Sequence, residues 1–291
     1  MGETLWAICY SARMFDLVIA VDWSADATRG PAKPSEAKCW LAAGSKKSLS
    51  EPEYFRTRTE CRERIRELAT GCSGRVLVGF DFAFGYPLTA EGRQLMPSGR
   101  GLCALLGWMI DDNDDNSNNR FLVGDHLNRR IMERTGWAEG PFWGRPGHLD
   151  LPDLPVKRPT KCPMPEYRQI EQTLRASAKQ PQSVWKLSYA GSVGSQSLLG
   201  LASVDRLLRD PEIGPRCRLW PFEPMSGPDS VVIGEIWPSM IPSDGHDHPI
   251  KDARQVVTIR DAMIEQPERW TAFPEGHRGE GWIMGVEPRI E

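Results

Sequence analysis

Three apolar runs, each closed by an acidic residue, dominate the pattern of hydrophobic and polar positions. Leu17-Val18-Ile19-Ala20-Val21 precedes Asp22, Val76-Leu77-Val78-Gly79-Phe80 precedes Asp81, and Val231-Val232-Ile233-Gly234 precedes Glu235. Runs of this length, rich in β-branched residues, read as strands buried on both faces. The alternation around them predicts strands at 16–22, 38–43 and 53–57, then a helix at 60–69 whose apolar stripe is Ile65 and Leu68. A glycine-bearing turn at 71–74 leads into the strand at 76–80. A strand meander followed by a crossover helix and a strand parallel to the first is the simplest assembly of that order.

After Pro87 the regular pattern lapses until about 184, which reads as a mainly helical insertion at 88–184. Within it the spacing predicts a buried helix at 102–110, an acidic loop at 111–119, a helix with a basic outer face at 121–135 and a helix at 166–178. The alternation then resumes with a helix at 197–208, strands at 218–222 and 231–236, and a helix at 251–265. The expectation is an α/β chain whose insertion separates two halves of one sheet. Residues 1–13 fit neither period and read as an extension.

Length and composition narrow the picture further. With 291 residues and 40% hydrophobic content, one large domain with an insertion can bury a substantial core. The formal charge of -3, from 36 basic and 39 acidic residues, gives no global field toward nucleic acid or an anionic membrane, so a polyanion would have to meet a local patch. The seven cysteines, at 9, 39, 61, 72, 103, 162 and 217, are odd in number and contain no C-x-x-C pair. That disfavours a disulfide framework or a structural zinc and suits a reducing cytoplasm. No apolar run nears the roughly 18 residues of a membrane span, and the first residues lack the positive flank of a secretory signal. A cytoplasmic protein without membrane contact is expected.

The acids carry the candidate chemistry. A carboxylate at the end of a buried strand costs desolvation energy unless it is paired, hydrogen-bonded or bound to a cation. With a two-residue period, Asp22 continues the row of Val18 and Ala20, Asp81 that of Leu77 and Gly79, and Glu235 that of Val231 and Ile233. In the last helix Asp252, Val256, Ile259 and Met263 fall on one stripe, so Asp252 is expected to face the sheet and Asp261 to face solvent. Functional groups gather at the carboxyl ends of parallel strands. Grouped there, such acids would repel one another, whereas Mg²⁺ or Mn²⁺ would keep them ionised. Taken singly, each has an ordinary reading: Asp22 or Asp81 bracing a turn, Glu235 paired with an arginine, Asp252 favoured by a helix dipole.

Val21-Asp22-Trp23-Ser24, Gly79-Phe80-Asp81-Phe82 through Pro87, Glu235-Ile236-Trp237-Pro238 and Lys251-Asp252-Ala253-Arg254, in that order, resemble the family of uncharacterised predicted nucleases with a ribonuclease H-like fold. The likeness runs over 14–265 as short islands, similar in outline to Holliday-junction resolvases. It implies a ribonuclease H-like mixed sheet and a divalent-metal-dependent nuclease or phosphodiesterase, with Asp22, Asp81, Glu235 and Asp252 as catalytic acids and metal ligands. The insertion and the segment 218–222 depart from the pattern and leave open which strand carries the third acid.

A second group of residues is expected to orient phosphate. The segment from Trp185 to Gln196 places Lys186, Ser192, Gly194 and Ser195 before a helix, where exposed amides favour anions, and Ser24, Lys251 and Arg254 accompany the acids. The segment lacks the spacing of a P-loop or a dinucleotide fingerprint. Lys157, Arg158, Lys161, Arg168, Arg175, Lys179 and Lys186 form the most basic stretch, for which a solvated face is the simpler reading than a nucleic-acid contact. Trp137, Phe142 and Trp143 would more simply pack the insertion onto the core than stack on a base. His246 and His248 read as part of a loop. The partner is thus nucleic acid or a phosphorylated small molecule. The alternative function is binding or processing of a small phosphorylated ligand or nucleotide cofactor on the same fold without nuclease activity.

Overall fold

The apolar runs become the middle of a sheet because neither of their faces can be given to water. In the computed structural model, residues 15–177, 179–189, 191–272 and 279–287 are described; the extension expected at 1–13 lies outside them. The strands are β1 Leu17–Asp22, β2 Cys39–Ser45, β3 Ser48–Leu49, β4 Glu53–Phe55, β5 Val76–Phe80, β6 Cys217–Leu219 and β7 Val231–Glu235. The helices are α1 Arg58–Gly71, α2 Gly99–Met109, α3 Arg120–Thr135, α4 Gln169–Ala176, α5 Val193–Leu208, α6 Lys251–Glu265 and α7 Pro267–Thr271. They build a seven-stranded mixed sheet in the order β3-β2-β1-β5-β7-β6, with β4 also paired to β2.

β2 lies antiparallel to β1, while β1, β5, β7 and β6 run parallel to one another. Parallel neighbours need a crossover. α1 supplies the one from the meander to β5, and its start is fixed by a capping box between Thr57 and Glu60. β7 sits beside β5 and β6 lies outside it at the edge, so the third acid-bearing strand is β7.

Each face of the sheet has its own core. Ile19, Val21, Val78, Phe80 and Ile233 pack with α1, α2, α3 and α5 on one side. Val18, Ala20, Leu77 and Val232 pack with α6 and α7 on the other. Leu127, Phe142 and Leu154 of the insertion belong to the first core, so the insertion shares its apolar cluster with the sheet. Phe142 is fully buried between Tyr86 and Trp185, with ring centroids 5.5 and 4.9 Å away, and serves packing. Among the described residues no helix is long and apolar enough to cross a membrane.

The expected helix at 197–208 begins earlier, at Val193, so that Gly194 and Ser195 lie in its first turn. Close packing explains the small residues there: a β-carbon on Gly194 would stand 2.3 Å from the Val184 carbonyl oxygen. β3 and α7 were not expected; at two and five residues they are too short for a period to show.

Candidate acidic site at the carboxyl ends of the parallel strands

Parallel pairing puts the ends of β1, β5 and β7 side by side. Val21 is level with Phe80, and Phe80 with Glu235, so Asp22, Asp81 and Glu235 all fall at the same edge. The pleat then divides them. Asp22 follows Val18 and Ala20, and Asp81 follows Leu77 and Gly79, on the α6 side. Glu235 follows Val231 and Ile233, which belong to the opposite core. Each acid does continue an apolar row as expected, but Glu235 is out of phase by one residue with the other two.

α6 brings the remaining acid. Val256, Ile259 and Met263 are buried against the sheet, and Asp252 stands half-buried on the same stripe, where its Oδ2 accepts the Ala37 amide at 2.7 Å. Asp261 is half-buried and paired with Arg260 at 2.7 Å, rather than simply facing solvent.

The charges of these acids reach one another: Asp81 and Asp252 act on Asp22, and Asp252 acts on Asp81. The Asp81 carboxyl is pushed up to about 7 by burial first, then by the charges of Glu235 and Asp252. Asp22 is raised well above the usual carboxylate range by burial, then by Asp81, Asp252 and Cys39, with Lys251 pulling the other way. Burial and like charges thus disfavour the anion at both Asp22 and Asp81. Asp252 is also raised, by burial first and against the Ala37 amide that stabilises its anion. The ordinary reading of Asp252, a carboxylate in the first turn of a helix, agrees with its place in α6, whereas bracing a turn does not remove the repulsion that Asp81 exerts on Asp22.

Glu235 has a different environment. Arg168, on which sequence reasoning placed no role beyond a basic face, is fully buried and forks onto it, with Nη1 2.8 Å from Oε2 and Nη2 2.6 Å from Oε1. The other edge of the same guanidinium binds Glu171, whose carboxylate also closes a capping box at the start of α4. The Phe84 amide donates to Glu235 Oε2 at 3.1 Å. Burial raises the Glu235 carboxyl, while Arg168 opposes that shift. This is the arginine pairing weighed as the ordinary reading of this residue.

An all-oxygen donor set of Asp22, Asp81 and Asp252 suits a hard cation such as Mg²⁺ or Mn²⁺. Among the described residues, however, no group of three or more His, Cys, Asp or Glu side chains is placed to hold a metal ion. The sequence-derived acids share one edge of the sheet without making a ready-formed cage, and both Glu235 oxygens are already occupied by Arg168.

The expected phosphate-side residues are scattered. Ser24 is buried and donates to the Ala37 carbonyl at 2.9 Å. The Lys186 ammonium lies 5.6 Å over the Trp143 ring. The Gly194 and Ser195 amides bond locally, to the Lys186 carbonyl at 3.0 Å and the Ser192 carbonyl at 3.1 Å, and Ser192 itself makes no side-chain cap. Arg254 donates to the His248 carbonyl at 2.5 Å. Only Lys251 acts on the acids directly, through Asp22 and Asp252. The start of α5 does reach the end of β1, where Gln196 Nε2 donates to the Trp23 carbonyl at 2.6 Å. Set against family models, curated proteins and solved structures, the chain matches none of them.

Proposed function

We propose that the chain is a divalent-metal-dependent phosphodiesterase or nuclease on a ribonuclease H-like core, in the family of predicted nucleases that its motifs resemble. One observation carries the reading: Asp22 and Asp81 end adjacent parallel strands, half-buried, with the charge of Asp81 disfavouring that of Asp22 and Lys251 as the cation acting on Asp22. Buried like charges of this kind are unfavourable in a purely structural role and characteristic of functional sites. The fold part is supported by the antiparallel meander, the crossover helix α1 and the parallel strands beyond it.

In this reading Asp22 and Asp81 would hold the ion and Asp252, steadied by the Ala37 amide, would complete the donor set. Mg²⁺ or Mn²⁺, when bound, would supply an acidified water and offset charge on a phosphoryl oxygen. Lys251 orients an incoming phosphate. Glu235, tied to Arg168, braces the Phe84 loop beside Asp81.

The test is cleavage of single- and double-stranded DNA and RNA with and without Mn²⁺. Metal-dependent cleavage that Asp22→Asn abolishes while the variant keeps its fold by circular dichroism is expected. Absence of cleavage on every substrate, together with no Mn²⁺-induced shift in thermal midpoint, ends the reading.

A further inference from the structure

On the side of the sheet away from Asp22, Asp81 and Asp252, an arginine is held in position without being neutralised. Arg120 opens α3. Its Nε donates to Ser195 Oγ at 3.0 Å, its Nη1 to Asn118 Oδ1 at 2.8 Å, and its guanidinium lies 4.3 Å over the Phe121 ring. Both acceptors are neutral, and both are fixed in turn, Ser195 by donating to the Leu187 carbonyl and Asn118 by donating to the Asn116 carbonyl. The remaining amino group, Nη2, bonds to no protein atom among the described residues.

The charges around it do not balance. Asp26 and Asp112 are the carboxylates that act on Arg120, but Asp26 is paired with Lys38 and Asp112 with the buried Arg58. Three cations thus face two carboxylates, and Arg120 is the cation in excess. Burial first, then the neighbouring Arg58, pulls its guanidinium down to about 10, which is the response of a half-buried cation lacking an anion. Buried arginines used as struts in this chain are tied to carboxylates instead: Arg58 to Asp112, Arg168 to Glu171 and Glu235, Arg260 to Asp261.

A planar fork locked by neutral acceptors, stacked on a ring and left with an unsatisfied edge is pre-organised for a bidentate oxyanion. We infer that Arg120, posed by Ser195 and Asn118, anchors a binding site for a phosphoryl group, carried either by a small phosphate ester or by a nucleic-acid backbone. The site is separate from the acids and does not depend on their binding metal. It also revises the sequence expectation for the segment from Trp185 to Gln196: Ser195, in the first turn of α5, takes part, while the cation comes from α3 rather than from Lys186.

The experiment is titration of the full chain with inorganic phosphate by calorimetry, at fixed ionic strength with chelator and no divalent ion. Wild type is expected to bind, Arg120→Gln to bind at least about tenfold more weakly, and Arg120→Lys to fall between them because it keeps charge without the fork. Asp22→Asn is expected to bind as wild type does, which separates this site from the proposed nuclease centre. Competition by a short single-stranded oligonucleotide, lost in Arg120→Gln, assigns the phosphoryl group to nucleic acid; phosphate binding without competition assigns it to a small ester. No phosphate binding by wild type, or equal binding by a folded Arg120→Gln, overturns the inference.

Discussion

Asp81 shows how a single half-buried carboxyl makes stability depend on pH. Its carboxyl titrates near 7 in the folded state, against about 4 for an unfolded aspartate. As pH rises the unfolded chain releases this proton first, so the contribution is fully present below about pH 4 and is lost as pH climbs through 7. With chelator present, the group's effect amounts to about 1–4 kcal/mol once solvent at its exposed edge is allowed for. Asp81→Asn has no charge to desolvate, so between pH 5 and pH 8 the wild type should lose more stability than the variant, and at pH 8 the variant should be the more stable. Urea unfolding at the two pH values measures both. Saturating Mn²⁺ should flatten the wild-type slope, and equal slopes in wild type and variant would show that Asp81 is not the titrating group.

At the scale of elements, the close crossings are made by glycine. α5 lies so near the loop after β5 that a β-carbon on Gly200 would sit 2.3 Å from a ring carbon of Phe82. Gly200→Ala should therefore cost about 1–3 kcal/mol through overpacking. Gly71, the last residue of α1, has nothing within 4 Å of the same position, and Gly71→Ala should instead stabilise by a few tenths to about 1 kcal/mol. Thermal midpoints of the two variants moving in opposite directions would confirm the contrast. The same pair shows what local sequence conveys. β5 and α6 were legible to the residue, at 76–80 and 251–265, because buried β-branched runs and a 3.6-residue stripe depend only on neighbours in the chain. The start of α5 was hidden because Val193-Gly194-Ser195 has the composition of a loop, and its helical state is set by contact with Val184 and Leu187. The row containing Asp252 was likewise legible, whereas the face of Glu235 relative to Asp81 depends on strand register, which no single strand encodes.

For the molecule as a whole, the question is whether the insertion folds with the sheet or beside it. Leu127, Phe142 and Leu154 share a core with Ile19, Val78 and Phe80, and Arg168 joins α4 to the end of β7 through Glu235. An apolar cluster and a buried ion network crossing the same boundary argue for one cooperative unit. Arg168 is the sensitive point. Replacing it with methionine keeps much of the volume but leaves Glu171 and Glu235, both buried, without their counter-charge. Breaking a buried pair from one side costs about 3–5 kcal/mol, more than the pair itself contributes. If the insertion and sheet are one unit, Arg168→Met should lower the free energy of unfolding by that amount and so lower the urea midpoint, in a single transition seen alike by tryptophan fluorescence, which samples both the insertion (Trp108, Trp137, Trp143) and the sheet (Trp23, Trp40), and by far-ultraviolet circular dichroism. Two separated transitions would mean that the insertion unfolds apart from the sheet and that the ion network merely decorates the junction.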